Sequence, residues 1–202
     1  MVLNRRICLS IAALVLGVAA PASAETTLAV PAANYKIDPR HTQVIFAIKH
    51  MGLSTFYGRF GNVNGALTFD LASPDKSTLT VEIDMMNIQT HVDELDKELS
   101  GSVFHASQYP TATFTAAQIV KTGDNTGTVT GNLTLAGATK PVTLNVTFNG
   151  GRNSPIPFSP YRIGFDATGA IKRSDFGLTG MIWSGMVSDE VSLQIECEME
   201  KQ

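Results

Sequence analysis

Histidine side chains offer the most direct route to metal binding and proton transfer in this chain, which has four of them. They are His41, His50, His91 and His105, and consecutive histidines lie nine or more positions apart. Zinc sites commonly contain ligand pairs only a few residues apart, and no pair such as H-x-H occurs here. The spacing therefore predicts no metal site, although a fold can still gather distant histidines.

Nucleophilic and acid–base chemistry also lack a recognisable pattern. The sequence contains no G-x-S-x-G elbow, phosphate-binding loop or dinucleotide fingerprint. Cys197 alternates with polar residues on the apolar side of its segment, which favours a buried, inert thiol over a reactive one. The acidic residues Asp93, Glu94, Asp96 and Glu98 suit the solvated surface of a helix. No catalytic residue is predicted.

Three polar residues remain candidates for a polar rim around a binding site. His50 follows Phe46 and Ile48 at the same parity, so it either meets a ligand head group or is a partly buried, satisfied histidine. Arg173 and Asp175 lie two residues apart in a turn-like segment, so they can share a face. They either stabilise a hairpin through each other and the backbone or contact a ligand.

The segment that must position these residues is the end of the chain. From Val191 to Glu200, apolar and polar residues alternate strictly, with Cys197 among the apolar set. Successive side chains of a strand point to opposite faces, so the pattern predicts a strand with one dry and one solvated face. Residues 161–183 have the same character, with a turn at Arg173–Gly177.

Similar alternation upstream predicts about eight half-buried strands and one short amphipathic helix over His91–Ser100, with Thr90 as its N-cap and Gly101 ending it. We predict a mainly β fold, a single antiparallel barrel, because closure removes exposed sheet edges. Gly65 and Gly131 fall on the dry parity, which favours a barrel with unfilled interior volume.

The N-terminal residues predict export. Arg5 and Arg6 precede an apolar run, and Ala22-Ser23-Ala24 fits a signal-peptidase site, so residues 1–24 are expected to be a cleaved signal peptide and 25–202 the mature domain. A retained anchor is the alternative. Removing the leader lowers Lys+Arg from 15 to 13 against 18 acids, so the mature net charge is near −5. This acidity argues against nucleic acid as a partner, and no basic amphipathic stretch predicts membrane association.

Several short blocks, in order over residues 35–200, carry a family resemblance. They are Tyr35–Asp38 with His41, Lys49-His50, Gly58 with Phe60, Phe69-Asp70, Tyr109-Pro110 with Phe114, Gly131–Gly137, Thr139–Val142, Gly164-Phe165, Arg173–Gly177 and Asp189–Val191. Together they resemble the YceI-like family of exported lipid-binding proteins. One segment departs from the family: Leu95–Phe104 keeps Asp96, Leu99 and Phe104 but lacks the usual Arg, His, Ser and second Asp.

The resemblance implies an extended lipocalin-like barrel that holds a polyisoprenoid, such as a quinone tail or polyprenyl lipid, in an apolar tunnel without catalysis. It implies a periplasmic carrier with no cofactor besides the bound lipid. Tail-binding barrels often pair to cover an opening, so a homodimer is left open as an alternative to a single copy. If the helix borders the tunnel mouth, its altered segment changes the head-group preference.

By parity, nine apolar residues are expected to line the tunnel: Phe46, Ile48, Phe60, Leu67, Phe69, Phe114, Leu133, Phe165 and Trp183. For each one, packing in a closed core is an equally good interpretation. Two other functions stay open. A hydrolase or isomerase for an apolar substrate requires His50, Arg173 or Asp175 to converge on one pocket, and a structural protein requires a filled interior.

Overall fold

The computed structural model describes residues 30–180 and 185–202, which form one antiparallel sheet with short helical segments. The predicted leader and Trp183 lie outside the described residues. The strands are β1 (Ala33–Ile37), β2 (Gln43–His50), β3 (Ser54–Phe60), β4 (Val63–Phe69), β5 (Thr78–Asp84), β6 (Ile88–Gln89), β7 (Thr111–Lys121), β8 (Thr126–Leu135), β9 (Ala138–Arg152), β10 (Arg162–Lys172) and β11 (Val187–Lys201).

The sheet closes into a barrel because β1 pairs with both β4 and β11. Strands β1 and β2 lie along the same side of β11: β1 pairs with its last residues, and β2 pairs with Val187–Glu196. In the same way β3 pairs with β2, while β4 pairs with β1. Strands β5 and β6 are related in the same way, since β5 pairs with β4 and β6 pairs with β3. Three couples of strands, β1–β2, β3–β4 and β5–β6, therefore each act as one long, interrupted strand, and with β7 to β11 they make a ring of eight members. The predicted antiparallel barrel of about eight strands is confirmed.

Alternation along β11 explains how this strand divides inside from outside. Val191 and Met199 are buried, whereas Ser192 and Gln194 are exposed. On β10 the inward positions continue the same surface, since Phe165 pairs with Cys197. A strand with this pattern buries one face only, so the apolar side turns to the interior of the ring.

The predicted helix is present with different ends. Helix α1 (Asp93–Glu98) continues into a π-helical turn (Leu99–Val103), so the helical segment passes through Gly101 rather than ending there. The N-cap prediction for Thr90 was wrong. Its hydroxyl and backbone N–H both donate to Asp96 Oδ1, at 2.6 and 2.8 Å, so the aspartate reaches back from the helix to hold the preceding chain.

A β-bulge in β7 changes which residues face inward. The pairing with β8 shifts between Ala116 and Gln118, so Phe114 and Ile119 both lie on the inner face despite their odd separation. A bulge adds one unpaired residue and thereby reverses the alternation beyond it. Among residues 30–180 and 185–202, no helix is long and apolar enough to cross a membrane.

Candidate functional site

A cavity of about 990 Å³ occupies the inside of the barrel. Most of the residues that line it are valine, isoleucine, leucine, methionine and phenylalanine, and polar residues such as His50, Lys121 and Arg173 also border it. Sites for small-molecule ligands typically measure about 300–1,000 Å³ and are mostly apolar. The interior of this barrel is therefore large enough to be a binding site, and a filled core does not describe it.

The cavity has two ends that can be recognised from β7. The helix end lies beside Leu95 and Leu99, next to the start of this strand, and the turn end lies beside the β7–β8 turn at 122–125.

Eight of the nine predicted tunnel residues line the cavity, and they come from strands around the ring. They are Phe46, Ile48, Phe60, Leu67, Phe69, Phe114, Leu133 and Phe165. Trp183 is the ninth, outside the described residues. Whether these side chains contact a ligand stays a prediction.

Two groups of phenylalanine rings mark the two ends. Phe46, Phe60 and Phe104 form the helix-end aromatic group, with centroid distances of 5.4 Å between the first two and 5.9 Å between the last two. Near the turn end, Phe69, Phe148 and Phe165 lie 5.2–5.6 Å apart, and the N–H of Phe148 donates to the carbonyl of Asn125 in the β7–β8 turn. Such tilted and edge-on ring pairs are favourable without a ligand.

The interpretation of Gly65 and Gly131 as sources of empty volume was wrong. A Cβ at Gly131 would lie 2.5 Å from the Phe114 ring, and one at Gly65 would lie 2.8 Å from Cδ1 of Ile37. The space above each glycine is therefore already filled by a side chain from another strand. Neither glycine lines the cavity, whereas Phe114 and Ile37 do.

The predicted polar rim divides into inward and outward residues. His50 and Arg173 both border the cavity. Arg173 donates from Nε to the carbonyl of Ser188 at 2.9 Å and from Nη1 to that of Leu178 at 2.5 Å. Its guanidinium thus joins the end of β10 to the start of β11 through backbone carbonyls, which is one of the two roles expected for it.

Asp175 does not share this position, and its assignment to the rim is corrected. It lies on a 3₁₀ turn (Arg173–Phe176), is exposed, and is absent from the cavity wall formed by the described residues. Because a 3₁₀ helix has three residues per turn, residues two apart do not share a face. Of the three residues that the enzyme alternative brings together, His50 and Arg173 border the cavity and Asp175 does not.

Sequence reasoning missed the polar residues at the turn end. Ser77, Lys121 and Asn125 border the cavity there. Ser77 Oγ is buried and has no hydrogen-bond partner among the described residues. The inward position of Lys121 follows from the bulge in β7, for which the sequence carries no clear signal.

A cluster of charged residues, here called the Asp38 cluster, lies on the outside of the barrel where β1 ends. Arg162 is its centre, with Nη1 2.7 Å from Asp38 Oδ2 and 3.0 Å from Glu198 Oε2, and Nη2 2.5 Å from Glu200 Oε1. None of these residues borders the cavity.

Two neighbours of Asp38 complete the Asp38 cluster. His41 Nδ1 lies 2.7 Å from Asp38 Oδ2, and Arg40 Nε lies 3.1 Å from Asp38 Oδ1. Burial alone would raise the pKa of Asp38, but the hydrogen bonds from His41, Arg40 and Arg162 outweigh it and hold the pKa well below its ordinary value. The Asp38 carboxylate is therefore a charged structural group.

The Asp38 cluster also contains the one set of metal-type ligands found among the described residues. Ligand atoms of Asp38, His41 and Glu198 lie within 4.8 Å of one another. The guanidinium of Arg162 contacts both carboxylates and already supplies the positive charge that a metal ion would bring. The arrangement fits an ion-pair cluster better than a metal site.

Cys197 lies on the inner wall beside Phe165, its cross-strand partner in the aromatic group near the turn end. Burial raises the pKa of its thiol to about 11, which the hydrogen bond with Thr42 only partly offsets. A thiol with so high a pKa is almost fully protonated at neutral pH and reacts slowly.

Comparison with known proteins supports one family. A family model described as the YceI-like domain matches residues 35–199. A UPF0312 protein of Yersinia pestis (strain Pestoides F) is 41% identical over 170 residues, covering 83% of this chain and 86% of the relative. A UPF0312 protein of Pseudomonas savastanoi pv. phaseolicola is 37% identical over 192 residues, covering 94% and 95%.

Solved structures share the barrel. Burkholderia cenocepacia BcnA superimposes with a TM-score of 0.71 at 27% identity, over 80% of this chain and 98% of that one. The Campylobacter jejuni YCEI protein gives 0.66 at 33% identity, over 77% and 90%. A polyisoprenoid binding domain from Saccharophagus degradans gives 0.63 at 19% identity, over 83% and 98%.

Proposed function

This chain belongs to the YceI-like family, and from that premise we propose that it is a binding and carrier protein for a long-chain lipid of the polyisoprenoid type. The lipid tail, such as that of a quinone or a polyprenyl lipid, lies inside the barrel. The protein performs no chemistry on it. The observation that carries the proposal is the apolar cavity of about 990 Å³.

Hydrophobic transfer is sufficient to hold such a tail. Each CH₂ group removed from water contributes about 0.8 kcal/mol, so a chain of many carbons binds strongly without a polar contact. The wall offers this environment along its length, from Ile48 at the helix end to Phe148 near the turn end. The few polar groups at the two ends are available to a head group.

The comparisons support the same class of ligand. The structure from Saccharophagus degradans is described as a polyisoprenoid binding domain, and it shares the barrel fold at low sequence identity. That likeness bears on the fold, so the choice of a polyisoprenoid for this chain rests on the family and on the shape and chemistry of the cavity.

We further propose that the protein acts in the periplasm after cleavage behind Ala24. The arginine pair, apolar run and small-residue site at the N-terminus support this location. N-terminal sequencing of the protein recovered from a periplasmic extract tests it, with Glu25 as the expected first residue. A first residue within 1–20 on the recovered protein contradicts cleavage.

Native mass spectrometry tests the ligand. We expect the gently purified protein to carry a lipid, and the delipidated protein to take up one molecule of a polyprenyl alcohol or a quinone with an isoprenoid tail. A clean mass without lipid, together with failure to take up either compound, would remove the proposal. The same spectra report whether two copies associate, which stays a prediction.

A further inference from the structure

Four glycines on the inner face of the barrel share an unusual property: a side chain from another strand lies directly over each one. The pairs are Gly58 with Phe46, Gly65 with Ile37, Gly131 with Phe114, and Gly169 with Leu144. None of the four glycines borders the cavity, whereas all four covering side chains do. The cavity wall at these positions is therefore made by side chains that lie in the space a Cβ would take.

Gly58 and Phe46 are the clearest case because they are direct partners across β2 and β3. The three nearest atoms to a Cβ built at Gly58 all belong to the Phe46 ring, with Cε1 at 2.6 Å and Cε2 at 3.0 Å. The ring thus lies against the backbone of β3. Any side chain at position 58 would push the ring away from the wall.

The direction of that movement is fixed by the rest of the helix-end aromatic group. The Phe46 ring packs 5.4 Å from Phe60, which packs 5.9 Å from Phe104. With the wall behind it and these rings beside it, a displaced Phe46 ring moves into the cavity. Its position on Gly58 therefore determines how wide the cavity is at this end.

We propose that Gly58 is a specificity-determining residue: by letting the Phe46 ring lie flat on β3, it keeps the helix end of the cavity wide enough for a methyl-branched chain. A straight hydrocarbon chain is thinner and tolerates a narrower passage. The inference rests on the proposed function, and it adds that the branched character of the ligand is selected by this pair.

The experiment compares two alcohols with the same main-chain length, geranylgeraniol, which is methyl-branched, and hexadecan-1-ol, which is straight. Dissociation constants are measured for the wild type and for Gly58→Ala. We expect the substitution to weaken geranylgeraniol binding by about tenfold, as for an overpacked site, and hexadecan-1-ol binding by less than about threefold.

Gly164→Ala is the matched control. Gly164 lies on a strand of the same barrel between two inward residues, and its added Cβ would approach Asn149 Cβ at 3.6 Å, an ordinary contact. We expect this variant to bind both alcohols as the wild type does.

Two variants keep the test decisive if Gly58→Ala folds poorly. The double variant Phe46→Leu with Gly58→Ala removes the displaced ring, and we expect geranylgeraniol binding within about threefold of the wild type. Phe46→Leu alone widens the cavity. We expect this variant to retain binding of the branched alcohol and to bind the bulkier cholesterol more tightly than the wild type does.

The outcomes separate this inference from the proposed function. If the wild type binds neither alcohol, the proposed function fails. If the wild type binds both and Gly58→Ala binds both equally well, or loses both to the same extent, only the role of Gly58 is overturned. Failure of the double variant to recover the branched alcohol, when folded, overturns it as well.

Discussion

The interior cavity and the Asp38 cluster differ in whether their groups have partners. Outside, the carboxylate of Asp38 is only 2% exposed and has Arg162, His41 and Arg40 around it. Inside, wall residues such as Leu193 and Phe46 are only half-buried because they border the cavity.

The Asp38 cluster should therefore affect the stability of the fold, and the cavity wall should affect ligand binding. A buried charge with several partners stabilises the fold only while all of those partners remain. A wall residue that borders the cavity contributes less to the free energy of folding, and its side chain is available to contact a ligand. The charged side chains of the Asp38 cluster thus stabilise the barrel from outside, and mostly apolar side chains form the wall of the binding site. Changes in the two regions should therefore have separable effects.

The largest effect is expected for Asp38→Ala. The change leaves Arg162, which is 19% exposed, without its most buried carboxylate partner, and removal of one partner from a buried ion pair costs about 3 kcal/mol. Urea unfolding of the ligand-free protein measures this loss, while the dissociation constant for geranylgeraniol should stay within about twofold where the variant is folded.

Arg40→Ala is the control, because its side chain is 72% exposed and exposed ion pairs contribute little to the free energy of unfolding. If Asp38→Ala lowers the free energy of unfolding no more than Arg40→Ala does, the structural role of Asp38 is contradicted. Loss of lipid binding by a folded Asp38→Ala protein would contradict the separate roles of the two regions.

The next effect concerns the wall, where Leu193→Gln should impair binding more than stability. Water can reach the new amide in the empty cavity, but a bound tail would leave it without a hydrogen-bond partner, at a cost of about 2 kcal/mol. We expect binding of geranylgeraniol to weaken about thirtyfold, measured by fluorescence competition. The matched control Ser192→Gln adds the same amide to the exposed face of β11 and should change neither property.

A smaller effect is expected from acid. The pKa of Asp38 is lower in the folded protein than its ordinary 3.8, so the unfolded chain takes up this proton first as the pH falls. The stability from this group is present above about pH 4 and is lost below it, by about 1 kcal/mol between pH 6 and pH 3. Urea unfolding at these pH values measures the slope, and Asp38→Asn should reduce it. An unchanged slope in that variant would contradict the assignment.

The last effect is on the reactivity of Cys197. With its pKa raised to about 11 by burial, the thiol should react with a disulfide reagent at pH 8 roughly a hundredfold more slowly than in urea. Because Cys197 borders the cavity, a bound tail should slow the reaction further. A native rate equal to the unfolded rate, or one that lipid does not change, would contradict this placement.

Local periodicity explains what could be predicted. The alternation from Val191 to Glu200 needs only neighbouring residues, and the structure has a strand there with the expected inner face. The helix was also visible from its spacing, but its ends were not, because Asp96 contacts Thr90 in a way that the sequence alone does not show.

Contacts between distant residues could not be predicted. Asp38 and Arg162 are 124 positions apart, so the sequence places them in separate strands without bringing them together. The glycine error has the same origin: position 131 was correctly read as inward, but the side chain that covers it comes from another strand. Likewise, the bulge that turns Lys121 inward is a property of the pairing between β7 and β8.

The closure of the ring through β11 has a consequence for how the molecule folds. This strand pairs with β10 on one side and with both β1 and β2 on the other, so residues near position 40 meet residues near position 195. Pairings between such distant segments form slowly, because a long stretch of chain must first be brought together. Hairpins such as β7–β8 can form early, but the ring stays open between β11 and its partners β1 and β2 until these strands have paired. Only then is the interior of the barrel enclosed.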